Sequence, residues 1–173
     1  MLILSATSGN NLKLAQAFEA EAVTQGQSVE TIALPDLQLP LYDSLNQGSG
    51  AGDGLLKLEQ ALKRHGGLIL CVPEYNGSIP PVLTNAIAWL SVGSPDFRAL
   101  FNNRPVALAT HSGGGGQKVL LAMRQQLSHL GSTVLGREVL TTPQRPANPD
   151  AIADLVSQLS AIESSYAGFP AED

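Results

Sequence analysis

The sequence predicts an α/β domain: a doubly wound, five-stranded parallel sheet with helices on both faces. Three observations carry the prediction. Short, continuous apolar runs such as Leu68-Ile69-Leu70-Cys71-Val72 suit strands buried on both faces. Segments with apolar residues at helical spacing alternate with those runs, the pattern of crossover helices between parallel strands. Loops of Gly, Pro, Asn and Ser join the strands to the helices that follow them.

Leu2-Ile3-Leu4 is the first strand, and the polar turn Ala6-Thr7-Ser8-Gly9-Asn10-Asn11 leads into a helix marked by Leu14, Ala15, Phe18 and Ala22 that stops near Gly26. Val29 to Leu34 is the second strand. In the Pro-, Gly- and Ser-rich stretch that follows, Leu39-Pro40-Leu41-Tyr42-Asp43 has the apolar character to lie on the protein, whereas Gln47 to Gly54 reads as mobile. Leu55, Leu58 and Leu62 mark the second helix, ended by Gly66-Gly67 ahead of the central strand Leu68 to Val72. Leu83, Ala86, Ile87 and Leu90 mark the third. Ser91 to Asn103 is a connection, and Pro105 opens the strand Val106 to Thr110, where a first residue need not donate to the ladder. Leu120, Met123, Leu127 and Leu130 form the next helical face, ended by Gly131. Thr133 to Leu140 is a last strand interrupted by Gly136, and Asn148-Pro149-Asp150 starts a helix with the inner face Ile152, Leu155, Val156 and Leu159. Five strands suggest the flavodoxin-like order 2-1-3-4-5, although the pattern is shared with other doubly wound orders. One domain over 1–165 fits the length, with 166–173 as a loose tail.

With 43% hydrophobic residues and few charges, the chain can bury a sizeable core. The net charge of −5 and the lack of a clustered Lys and Arg footprint argue against nucleic acid. Cys71, the single cysteine, lies within the central strand, so it reads as a structural thiol. The chain starts directly on an apolar strand without a basic leader, and no run is long enough to span a bilayer, which together predict a cytoplasmic protein with no membrane partner.

Three loops leave the carboxyl ends of strands that would be neighbours at the sheet centre: Ala6 to Asn11, Pro73 to Ile79, and His111 to Gln117. That edge carries the ligand crevice of an open α/β sheet. The first loop offers the Thr7 and Ser8 hydroxyls, the Asn10 and Asn11 amides and the free N–H groups of a helix start, which can cradle a phosphate without a lysine. It would equally serve as a polar loop with an Asn cap. It matches neither the P-loop nor the dinucleotide glycine pattern. In the second loop Pro73 and Pro80-Pro81 fix φ, Asn76-Gly77 tolerates positive φ, and Tyr75 supplies a ring, a set that suits a flat, polar-edged ligand or a stiff turn without one. Gly113 to Gly116 permit close backbone approach; a mere linker would not normally sit between a buried strand and a well-patterned helix. His111 is a lone histidine, no His, Cys and carboxylate set has metal spacing, and no nucleophile elbow is present.

Pro73-Glu74-Tyr75-Asn76-Gly77-Ser78-Ile79-Pro80, followed by Leu83-Thr84-Asn85-Ala86-Ile87-Ala88-Trp89-Leu90-Ser91, closely resembles the signature of the NADPH-dependent FMN reductase family, flavodoxin-like flavoproteins related to chromate, azo-dye and quinone reductases. Ser112-Gly113-Gly114-Gly115-Gly116 resembles the family's third flavin loop and Leu39-Pro40-Leu41-Tyr42-Asp43 its segment after the second strand. The resemblance implies a bound FMN and NADPH or NADH as electron donor. Thr7, Ser8, Asn10, Asn11 and Leu12 would hold the phosphate; Pro73, Glu74, Tyr75, Asn76, Gly77, Ser112, Gly113, Gly114 and Gly115 would contact the ring. No catalytic side chain or metal is implied, because the flavin carries the chemistry.

Two departures stand out. The first loop is short and lacks the family's Ser-x-Arg element, and Thr84 and Ala88 occupy positions where the family commonly has Lys and Asp. The resemblance also implies a homodimer or homotetramer and a small acceptor such as a quinone, free flavin, azo compound or metal oxyanion. A flavodoxin-like electron carrier and a flavin-depleted binding protein are the alternatives from other classes.

Overall fold

A computed structural model describes residues 1–45 and 47–165; the tail 166–173 lies outside them. Five parallel strands, β1 (Leu2–Ser5), β2 (Glu30–Ala33), β3 (Leu68–Cys71), β4 (Pro105–His111) and β5 (Thr133–Thr141), form one sheet in the order β2-β1-β3-β4-β5. The flavodoxin-like order read from the sequence is the one found. Helices α1 (Asn10–Thr24), α2 (Asp53–Arg64), α3 (Pro81–Val92) and α4 (Gln117–His129) are the crossovers, and α5 (Pro149–Glu163) follows the last strand.

Period-two alternation within each strand splits the interior into two apolar layers. Leu2 and Leu4, Leu68 and Leu70, and Val106 and Leu108 pack with Leu58, Leu62, Leu83, Leu90, Met123 and Leu127 of α2, α3 and α4. Ile3, Ile69, Cys71, Ala107 and Ala109 pack with Leu14, Phe18, Leu155 and Leu159 of α1 and α5. The second layer is built on small strand residues, so α1 and α5 sit where Phe18 can fill the space; Phe18 is fully buried. Burial raises the Cys71 thiol far above its ordinary range, which makes it an apolar filler.

Two predicted segments differ in detail. The stretch read as mobile carries a short 3-10 turn, Gln47–Ser49, and α2 begins within it at Asp53, behind Gly52 at φ 72°. Around Gly136 the interruption is a bulge: Val106 pairs with Val134, and two residues later Leu108 pairs with Glu138, four residues further along β5. The segment after β2 lies on the protein as expected. The Pro40 carbonyl accepts from Trp89 Nε1 at 2.7 Å and from Asn85 Nδ2 at 2.9 Å, while Tyr42 N–H donates to Asn85 Oδ1 at 2.7 Å. Tyr42 meets the Trp89 ring edge-on at 5.2 Å.

Candidate active site

The three loops converge as the topology requires, because β1, β3 and β4 are adjacent and all point their carboxyl ends to one edge. Helix α1 starts there behind Gly9, with no side-chain cap and no acidic residue in its first turn. Among the described residues, no protein acceptor meets the N–H groups of Thr7, Ser8, Gly9, Asn10, Asn11 or Leu12; the ladder resumes with Lys13 N–H on the Gly9 carbonyl at 3.1 Å. Six donors without a protein acceptor at the positive end of a helix dipole can hold an anion. The Ser5 hydroxyl holds this loop from below, donating to the Thr7 carbonyl at 2.7 Å.

Asn11 differs from its neighbours. It is only 2% exposed, and its amide is committed at both ends to one residue of β4: Nδ2 donates to the His111 carbonyl at 2.9 Å and Oδ1 accepts from His111 N–H at 2.8 Å. Its backbone N–H and the second Nδ2 hydrogen have no protein acceptor among the described residues. The Asn11 side chain therefore braces the first loop against the third. His111 is held in turn, with Nδ1 3.1 Å from Thr141 Oγ1, and Thr141 donates to the Thr110 carbonyl at 3.0 Å. Thr141 carried no signal in the sequence, since nothing local marks a threonine at a strand end as a partner for a histidine on the next strand.

The second loop is a two-residue hairpin. Tyr75 and Ser78 exchange N–H to carbonyl bonds at 3.0 and 2.9 Å, and Asn76 and Gly77 take the tip at φ 51° and 73°. Positive φ at both central residues defines a tight primed turn, which the Asn-Gly pair accepts. The pairing consumes the Tyr75 and Ser78 donors and leaves the Asn76 and Gly77 N–H groups without a protein acceptor among the described residues. The Glu74 carboxylate accepts the backbone N–H of Lys118 at 3.2 Å, so it ties the hairpin to the start of α4.

In the third loop Ser112 is buried, its N–H on the Thr141 carbonyl at 3.0 Å, and its hydroxyl lies 3.4 Å from Gly114 N–H. A Cβ on Gly113 or Gly114 would meet no atom within 4 Å, so both face open space. Gly116 must be glycine: it caps α4 at φ 84°, and a Cβ there would lie 2.7 Å from Thr110 Cγ2. No metal-binding group of His, Cys, Asp or Glu side chains occurs among the described residues.

The geometry suits FMN. An uncapped helix start accepts a phosphate dianion, and the hairpin tip and glycine run present backbone donors to a flat ring with carbonyls on its edge. Comparison with known proteins points the same way. A quinone reductase of Escherichia coli is 35% identical over 114 residues, 64% of this chain and 59% of that protein, so the match spans under two thirds of the relative's length. An NADPH azoreductase of Bacillus sp. is 29% identical over 138 residues, covering 75% of this chain and 74% of that protein. Among solved structures, an oxidoreductase from Corynebacterium diphtheriae superposes with TM-score 0.73 at 18% identity over 96% of this chain and 97% of its own, a likeness of fold. The family model of the NADPH-dependent FMN reductases matches residues 1–146, which contain all three loops, and the chain belongs to that family.

Proposed function

We propose that the protein is an FMN-dependent oxidoreductase that takes electrons from NADPH or NADH and passes them to a small acceptor, a quinone, free flavin, azo compound or metal oxyanion. The observation that carries the reading is the open α1 start standing beside two loops whose unpartnered donors suit a flavin ring. Thr7, Ser8 and Asn10, with the backbone N–H groups of Asn11 and Leu12, would hold the phosphate. Pro73, Tyr75, Asn76 and Gly77 would line one side of the ring, and Ser112, Gly113, Gly114 and Gly115 the other. Bound FMN supplies the chemistry: it accepts a hydride, two electrons and one proton, and releases two electrons to the acceptor. The chain's own residues bind, orient and tune. Glu74 and the Asn11 side chain would act as braces, and the first-loop backbone donors would hold the phosphate without the family's Arg.

A homodimer or homotetramer is part of the reading. Helix α3 carries no charged residue, and Leu41, Leu45 and Tyr75 near it are 80%, 89% and 49% exposed, apolar surface that a second copy would cover. A cytoplasmic location fits a reduced buried cysteine and the finding that no helix of the described residues is long and apolar enough to cross a membrane. Steady-state NADPH and NADH oxidation with a quinone, using FMN-loaded and FMN-stripped protein, tests the activity. Turnover that needs FMN supports an enzyme, whereas flavin bound without pyridine-nucleotide oxidation would make the chain an electron carrier. Sedimentation equilibrium tests the assembly, which should exceed the monomer and fall toward it in Leu41→Glu with Leu45→Glu.

A further inference from the structure

Lys118 lies in the first turn of α4, directly after the glycine run, and the structure holds it against the hairpin by two separate contacts. Its backbone N–H meets Glu74 at 3.2 Å. Its side chain runs across Gly77, where a Cβ would come within 3.4 Å of Lys118 Cδ and 3.9 Å of Nζ. The ammonium therefore stands at the hairpin tip, beside the unpartnered donors of Asn76 and Gly77.

The ammonium has no ion-pair partner there. Arg64, Arg124 and Arg137 pair with Glu30, Glu138 and Asp154, but Lys118 makes no ion pair among the described residues, and the Glu74 carboxylate meets its backbone N–H instead. In a chain of net charge −5, an ammonium laid along a binding loop places positive charge at the hairpin tip. The positive end of α4 adds to it.

We propose that Lys118 sets the reduction potential of the bound flavin: its ammonium, held over Gly77, favours the reduced, anionic ring over the neutral oxidised one. Resting on the flavin reading above, the inference adds a residue outside the signature segments quoted from the sequence. Positive charge beside a group that becomes anionic on gaining electrons stabilises the reduced state, while the oxidised ring offers it little net charge to act on. Lys118 is thus a potential-setting residue, distinct from the backbone donors that hold the ring.

The test compares the whole protein with Lys118→Met, which keeps the stem over Gly77 and the backbone bond to Glu74, and with Lys118→Arg, which keeps the charge. Oxidised FMN affinity is read by quenching of flavin fluorescence, and the midpoint potential of bound flavin by equilibration with reference dyes. Lys118→Met should bind oxidised FMN about as well as the parent but lose roughly tenfold of its preference for the reduced form, about 30 mV more negative for a two-electron couple. Lys118→Arg should restore most of the shift. An unchanged potential in Lys118→Met would overturn the proposal, as would an equal shift in Lys118→Arg, which would assign the effect to packing on Gly77. Failure of the parent protein to bind FMN would remove the flavin reading itself, and the proposal with it.

Discussion

The two edges of the sheet are built to opposite rules. At the amino edge, charged groups are matched with partners. Arg104, just before β4, is 0% exposed, and its guanidinium donates to the carbonyls of Leu62, His65, Gly66 and Leu100, closing the end of α2. Beside it Glu30 accepts from Arg64 at 2.8 Å and lies 3.1 Å from His65. At the carboxyl edge, donors are left open at the start of α1, at Asn76-Gly77 and along the glycine run. Satisfied groups stabilise the fold, and unsatisfied, solvent-facing donors held in place are what a ligand can use. The difference separates residues whose loss unfolds the protein from residues whose loss empties it.

The largest expected effect falls on the amino edge. Arg104→Ala should cost about 3 to 5 kcal/mol, because it leaves buried carbonyls without a donor and a cavity where the side chain lay. Urea unfolding checks this, and the folded fraction should bind FMN normally if the two edges are independent. Asn11→Ala stands between the edges in character. It removes both bonds to His111 and should cost about 2 kcal/mol while also loosening the first loop, so flavin affinity should fall along with the urea midpoint.

Asn76→Ala with Gly77→Ala should show the reverse balance. Alanine is strained at φ 51° and 73°, so some stability is lost, about 1 kcal/mol, but the main result should be poor flavin retention in a protein that remains folded. Full flavin occupancy in that variant would remove the hairpin from the site.

The smallest effect is a pH dependence at the amino edge. Burial alone would raise the Glu30 carboxyl, but hydrogen bonds from Arg64 and His65 outweigh it and hold it below the usual value. Burial, helped by the nearby Met1 ammonium, pushes the His65 imidazole below its usual value despite Glu30 and Glu163. Both groups resist protonation in the folded state. Their stabilisation is present above the unfolded pKa values of 6.5 for His65 and 4.5 for Glu30 and is lost as pH falls through the lower folded ones. The urea midpoint should therefore decline in two steps on acidification; His65→Gln should flatten the first and Glu30→Gln the second, both modestly because the groups are partly solvated.

The architecture was legible because it rests on local pattern. Leu68 to Val72 reads as a buried parallel strand, and the positions of Leu83, Ala86, Ile87 and Leu90 read as a helix, without reference to the rest of the chain. The positive φ at Asn76-Gly77 was legible too, because these residue types tolerate it, whereas the Tyr75–Ser78 pairing that makes the loop a hairpin was not. What was hidden depends on distant partners. Asn11 and His111 are 100 residues apart, and no local signal turns a phosphate candidate into a brace. Arg104 carries the residue type least expected in an interior, and only the α2 carbonyls brought to it by the fold explain its burial. Lys118 over Gly77 is likewise a contact between a helix start and a loop that the sequence places 41 positions apart.

The most direct measurement is the visible absorption spectrum of the purified protein, before and after added FMN, with NADPH and NADH then introduced under anaerobic conditions. Flavin bands that shift on binding and bleach with a pyridine nucleotide are the predicted result, since the carboxyl edge leaves donors open at the start of α1 and at the hairpin tip. No flavin bound at micromolar concentrations, in protein shown to be folded, would contradict the account.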